Sequence, residues 1–182
     1  MKTRLVLILS LLLLAISLTA QNYVTRTGYI RFYSEAPLEN IEAINRQVNS
    51  ALNISNGEFV FRLLMRSFNF EKALMQEHFN ENYVESHKYP NASFQGKIVN
   101  LNEIDFSKPG IYSTIVEGDL TIKDATQKVK QNGTLEVKKD EIIGKSVFNI
   151  KLADYNIAIP SAVSRNISPE IEITVEVLLK KM

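Results

Sequence analysis

Cysteine and tryptophan are absent from this 182-residue chain, and histidine occurs only twice. Without cysteine there can be no disulfide, no thiolate ligand for a metal, no thiol redox chemistry and no lipid carried on a lipoprotein cysteine. The seven glycines are dispersed, so no glycine-rich phosphate loop is present. No GxSxG nucleophile elbow, internal repeat or low-complexity tract is found either. Charge of one sign is not concentrated: 21 Lys and Arg face 20 Asp and Glu. The densest basic groups, Lys128 to Lys130 and Lys138-Lys139, read as solvated strand edges or turns rather than a phosphate-binding patch, and nothing marks a nucleic-acid surface.

What is present is apolar content, 45% of the chain, enough for one good core and short for two domains. Part of it is set aside at the N-terminus. Lys2 and Arg4 precede an apolar run from Leu5 to Leu18, and Thr19-Ala20 supplies a small-residue exit. The run falls short of the roughly 20 residues a spanning helix needs, and no basic stop-transfer cluster follows. The expectation is a cleaved secretory signal over residues 1–20 and a single domain over 21–182, periplasmic or secreted. An uncleaved N-terminal anchor is the alternative. Loss of Lys2 and Arg4 takes the formal charge from +1 to −1.

Beyond the leader, alternation of apolar and polar residues dominates. Thr25 to Ser34 places Ile30 and Phe32 on one face and Arg31 on the other. Leu38 to Asn53 fits neither a period of two nor a clean helix and is expected to be an irregular strand, turned by Asn56-Gly57. Glu58 to Phe68 reads as one strand, with Phe59, Phe61, Leu63 and Met65 on one face and Arg62 and Arg66 on the other. Asn69 to Ser86 has the only helical content, an amphipathic cap that ends towards Tyr89-Pro90, since the residue before proline is pushed out of the helical region. Strands resume at Phe94 to Leu101, Ile111 to Lys123, Gln127 to Lys138 with a bulge or bend at Asn132-Gly133, Ile142 to Leu152, and Glu170 to Lys181. About eight hairpin-connected strands point to a mainly β fold, an antiparallel barrel with one short helical segment at its mouth.

Chemistry is sparse on this frame. His78 and His87 are nine residues apart, which matches no usual zinc spacing, so the glutamates at 77, 81 and 85 read as a solvated helix face and no metal or other cofactor is expected. Glu117 and Asp119 share a strand face but read as its water-facing side. No catalytic constellation emerges, and the expectation is a protein that is not an enzyme. The large apolar residues Phe32, Phe59, Phe61, Phe94 and Phe148, with Leu63, Met65, Ile150, Ile173, Val175 and Val177, suit either a filled core or the wall of a ligand cavity.

Two runs carry a resemblance. His78-Phe79, Tyr83, Lys88-Tyr89-Pro90 and Phe94-x-Gly96 form one, and Gly118, Leu120, Thr121 and Ile122 form the other. They resemble the YceI-like family of periplasmic proteins with a lipocalin-like barrel, over about Gly28 to Val177. Lys123-Asp124 stands where many members carry His-Gly. The resemblance implies an extended eight-stranded antiparallel barrel holding a long-chain isoprenoid or other apolar lipid, such as a quinone precursor or a fatty-acid derivative. Candidate ligand contacts in the interior are then Phe32, Phe59, Phe61, Leu63, Met65 and Phe94, with Phe148, Ile150, Ile173 and Val175. Phe79, Tyr83 and Tyr89, with His87, are candidates at the mouth. The alternative is a structural or stress-associated envelope protein whose barrel is filled by its own side chains, and a homodimer stays open.

Overall fold

A computed structural model describes residues 22–182; the expected signal over 1–20 lies outside the described residues. Alternating sequence produces nine strands: β1 (Asn22–Glu35), β2 (Asn40–Asn53), β3 (Glu58–Leu64), β4 (Asn69–Phe70), β5 (Asn91–Ile98), β6 (Gly110–Ile122), β7 (Ala125–Val137), β8 (Glu141–Lys151) and β9 (Glu170–Lys181). One short helix, α1 (Ala73–His78), precedes a π-helical turn over Phe79–Tyr83. All pairings are antiparallel, in the order β1-β9-β8-β7-β6-β5-β3-β2. β1 also pairs with β2, which closes eight strands into a barrel and leaves no free sheet edge there; β4 is a two-residue spur on β2. Strands of 13 or 14 residues are long for a globular protein, about 45 Å at 3.3 Å per residue, so the barrel is elongated.

The unclear pattern of residues 38–53 has a structural cause. β2 is a strand throughout, but its pairing with β1 slips between Gly28↔Val48 and Ile30↔Asn45. The extra residue moves the buried positions from Ala43 and Asn45 to Val48, Ser50 and Leu52, so neither parity holds along the whole strand. Buried Asn45 repairs the backbone around this bulge, donating from Nδ2 to the Leu64 carbonyl (3.0 Å) and accepting from the Gln47 amide (2.8 Å).

Three other expectations are corrected. The strand expected to reach Phe68 stops at Leu64, where a 3-10 turn over Met65–Ser67 folds Phe68 and Phe70 back over the barrel end. The helical content expected over 69–86 contracts to α1 and its π-helical turn, because Asn80 Nδ2 bonds the Gln76 carbonyl (2.8 Å) and competes with the regular helix ladder. Asn132-Gly133 makes no bulge against β6, whose register runs unbroken through Ile115↔Asn132 and Thr114↔Gly133. It marks instead the point where β7 parts from β8, whose pairing runs only from Thr134↔Lys145 to Val137↔Ile142.

The interior divides along the barrel axis. At one end Tyr23, Leu52, Phe59, Ile98, Leu135, Ile142, Val177 and Leu179 pack into a plug, closed over by Ile104. Leu52, Ile142 and Leu179 are completely buried. At the other end Leu63, Met65, Ala92, Ile150 and Ile171 form a second apolar layer, roofed by residues 65–90 and 152–169.

Candidate functional site

Between plug and roof lies a cavity of about 420 Å³. Its side walls come from inward-facing positions that alternation puts there: Ile30 and Phe32 of β1, Phe59, Phe61 and Leu63 of β3, and Phe94 of β5. Leu120 and Ile122 of β6, Phe148 and Ile150 of β8, and Ile173 and Val175 of β9 complete the circuit. Phe32, Phe61, Phe94, Phe148, Ile173 and Val175 are only half-buried although they point into the barrel, because they face empty space rather than neighbouring side chains. At this level the interior is a cavity; only the plug end is filled.

Ring packing shapes the cavity. Under the roof, Phe32 lies 5.4 Å from Phe68, 5.5 Å from Phe70 and 5.5 Å from Phe79, with Phe70 and Phe79 5.0 Å apart. Deeper in, Phe59 and Phe61 approach to 4.6 Å and Phe61 lies 6.2 Å from Phe94. Phe32 and Phe79 stack, with 28° between their planes, and the other pairs are tilted or edge-on, as aromatic quadrupoles favour. The Phe94-x-Gly96 run has a steric reason: a Cβ on Gly96 would lie 2.5 Å from Cζ of Phe94, so the ring occupies the space that glycine leaves.

The roof has two halves. Residues 65–84 contribute Met65, Phe68, Phe70, Met75, His78, Phe79, Tyr83 and Val84 to the cavity lining. The connection from β8 to β9 supplies Leu152, Ile157, Val163 and Ile167. Its fold is tied to the β6–β7 turn, with Asn156 Nδ2 donating to Asp124 Oδ1 (3.1 Å) and Gln127 Nε2 donating to the Asp154 carbonyl (2.7 Å).

Of the residues singled out from sequence, Phe32, Phe59, Phe61, Leu63, Met65 and Phe79 border this one cavity, together with Tyr83, Phe94, Phe148, Ile150, Ile173 and Val175. Tyr89 and His87 do not: Tyr89 sits in the last turn of the roof segment, its amide bonded to the Glu85 carbonyl (2.9 Å), and His87 is exposed. His78, set aside as a ligand, does border the cavity at the roof. Phe68, Phe70 and the 152–169 connection were missed. The only signal for them was Val163 and Ile167 four residues apart; nothing local to Phe68 or Phe70 reveals that the chain turns back over the mouth.

Outside the barrel, charge is paired. Glu117 and Asp119 face Lys130 and Lys128 across β6 and β7 at 3.7 and 3.2 Å, and Arg31 bridges Glu42 (2.6 Å) and Glu172 (3.1 Å) on its two neighbouring strands. Arg62 lies on the outer face, bonded to Asn91. Among the described residues no group of three or more His, Asp or Glu is placed to hold a metal ion, and no helix is long and apolar enough to cross a membrane.

A closed, elongated antiparallel barrel of eight strands, enclosing an apolar cavity beneath an aromatic roof, defines a lipocalin-like architecture. The sequence profile of the YceI-like domain matches residues 27–179, and the chain belongs to that family. No match is found among curated proteins. Solved structures share the fold at low identity. A polyisoprenoid binding domain from Saccharophagus degradans implicated in plant cell wall breakdown aligns with TM-score 0.77 and 12% identity, covering 90% of this chain and all of that one. BcnA of Burkholderia cenocepacia aligns with TM-score 0.63 and 16% identity over 84% of this chain and 95% of that one. A YceI protein of Campylobacter jejuni gives 0.62 and 14%, over 81% and 88%.

Proposed function

We propose that the protein binds a long-chain amphiphile, a polyisoprenoid, a quinone precursor or a fatty-acid-like lipid, inside the barrel, for transport, storage or sequestration in the cell envelope. The observation that carries this reading is the cavity itself: aromatic and branched side chains aimed into the barrel and left half-buried around about 420 Å³ of space. A hydrocarbon chain placed there gains about 25 cal/mol for each Å² withdrawn from water, and it needs no polar partner along its length. Family membership and a structural neighbour that is a polyisoprenoid binding domain support the same reading. The role is binding without chemistry, and the N-terminal apolar run supports export to the periplasm or beyond.

Protein purified from its native envelope is expected to carry a long apolar molecule, detected by native mass spectrometry and weighed after solvent extraction. A consistently empty barrel would count against the proposal and favour a structural envelope protein, a reading for which the filled plug end speaks. Phe148→Asp is expected to abolish loading, with circular dichroism showing whether the barrel is retained.

A further inference from the structure

The wall between β7 and β8 is open over most of its length. The two strands pair only from Thr134↔Lys145 to Val137↔Ile142, although β7 runs on to Ala125 and β8 to Lys151. The other short ladder, β2 against β3, is continued by other means: Asn45 bonds the Leu64 carbonyl, and β4 pairs with β2 beyond it. No strand continues the β7–β8 ladder. The parting begins where the Ser146 hydroxyl donates to the Asn132 carbonyl at 2.6 Å, and it ends towards the roof where Gln127 bonds Asp154 beside buried Tyr155.

The cavity extends to this seam. Apart from Ser93, the strand residues that border it elsewhere are inward-facing, as alternation requires. Along the seam, inward residues Val129, Gln131 and Phe148 border it, and so do exposed Asn132 and Lys145 from the outer face. Ser93 borders the cavity from a strand paired on both sides, whereas Asn132 and Lys145 do so where the β7–β8 ladder ends. Gly133 sits at the fork, where a Cβ would lie 2.7 Å from the Lys145 carbonyl and 3.2 Å from Oγ1 of Thr114, so a side chain there would press against the β8 backbone where the two strands part.

Polar side chains border the cavity at two places: Ser34, Glu39, His78 and Asn166 at the roof, where Glu39 already carries negative charge, and Thr114, Gln131 and Ser146 at the seam, on the facing strands β6, β7 and β8. The three at the seam are uncharged. The nearby cations point outward and are already engaged, Lys130 with Glu117 and Lys145 with Glu176 at 2.6 Å. An anionic head desolvated at this level would lack a free counter-charge, whereas a carbonyl or hydroxyl would meet an amide and hydroxyls.

We infer that the β7–β8 seam is a lateral portal that takes the polar end of the bound amphiphile, and that it selects a compact neutral, hydrogen-bonding head over a phosphorylated or carboxylate one. This rests on the lipid-binding reading above and adds to it the position and chemistry of the head.

Three C20 probes on the same branched carbon skeleton separate the two ideas: the hydrocarbon phytane, geranylgeraniol and geranylgeranyl diphosphate, each displacing a fluorescent apolar dye from the purified protein. Geranylgeraniol is expected to bind about ten-fold more tightly than phytane, and the diphosphate more weakly than the alcohol. In a Gln131→Leu, Ser146→Ala double variant the preference for the alcohol over phytane should collapse. A hexadecyl chain carrying a benzophenone ketone, photolysed in the complex, should mark residues 129–133 and 144–148. Tighter binding of the diphosphate, an unchanged preference in the variant, or adducts confined to residues 75–84 under the roof would each overturn the portal while leaving lipid binding intact. Failure of all three C20 probes to displace the dye would remove the lipid-binding reading, and the portal with it.

Discussion

Lys123 Nζ lies 2.8 Å from Glu85 Oε1, joining the β6–β7 turn to the far end of the roof. The same ammonium donates to the Asn156 carbonyl at 3.2 Å, so one side chain holds both halves of the roof to the wall. Lys123, Glu85 and Asn156 are the three non-glycine residues with positive φ among those described, at 57°, 48° and 55°. Left-handed backbone at such residues costs free energy and persists where surrounding contacts enforce it. In this chain the β6–β7 turn is a tether.

Lys123→Met should therefore loosen the roof without opening the barrel. Hydrogen exchange is expected to rise in residues 73–89 and 152–160 and to stay low in β6 and β9. Unchanged protection in the roof would show that the aromatic packing around Phe32 holds it unaided.

The tether should also respond to acid. Hydrogen bonds from Lys123 first, then Lys88, hold the Glu85 carboxyl down at about 2 against an ordinary 4.5. A depressed carboxylate contributes stability that is complete above its unfolded value and lost as pH falls through its folded one. Roof protection is expected to hold at neutral pH and down to about 4.5, then to decline towards about 2. The same titration of Lys123→Met should lack the part of the decline that belongs to this pair.

Gly96 and Gly118 face each other across β5 and β6. A Cβ on Gly96 would lie 2.3 Å from the Glu117 carbonyl oxygen, and one on Gly118 would lie 2.4 Å from that of Gln95. Because the obstacle is backbone, it cannot rotate away. Either alanine substitution is expected to cost about 1–3 kcal/mol, seen as a lowered thermal midpoint; an unchanged midpoint would mean that the strands separate at little cost.

Plug and cavity should answer truncation differently. Leu52→Ala removes a completely buried side chain and is expected to cost about 2–5 kcal/mol in denaturant unfolding. Phe148→Ala removes a ring that already borders empty space, so its stability cost should be smaller and its effect on loading larger. Equal stability losses would indicate a uniformly packed interior.

Asn45 is a completely buried polar residue of the wall. Alanine there would strip the Leu64 carbonyl and the Gln47 amide of their partners at a buried bulge, a loss of about 1–3 kcal/mol by chemical denaturation. Asn45→Asp, at a pH where the new carboxyl is protonated, keeps an acceptor for the Gln47 amide and an O–H donor for the Leu64 carbonyl, and should fall between wild type and alanine.

Local pattern determined much of this protein. Alternation in β9 marked its strand from Glu170 to Lys181, and the same period of two put Phe59, Phe61 and Leu63 on one inward face. Two short runs sufficed to point to the family, because Phe94-x-Gly96 records a ring packed over a glycine. What alternation cannot report is contact between segments distant in sequence. Phe68 and Phe70 look like strand and helix residues until the turn at Met65–Ser67 brings them to Phe32, and β2 looked irregular because its bulge depends on the register against β1. Asn132-Gly133 was legible as an irregularity but not as the edge of an opening, since pairing with β6 and parting from β8 are properties of three strands together. The inward faces were local and followed from the residues; the empty space they enclose, the two-part roof tied by Lys123, and the seam in the wall arise from long-range pairing, and only the tertiary structure decided them.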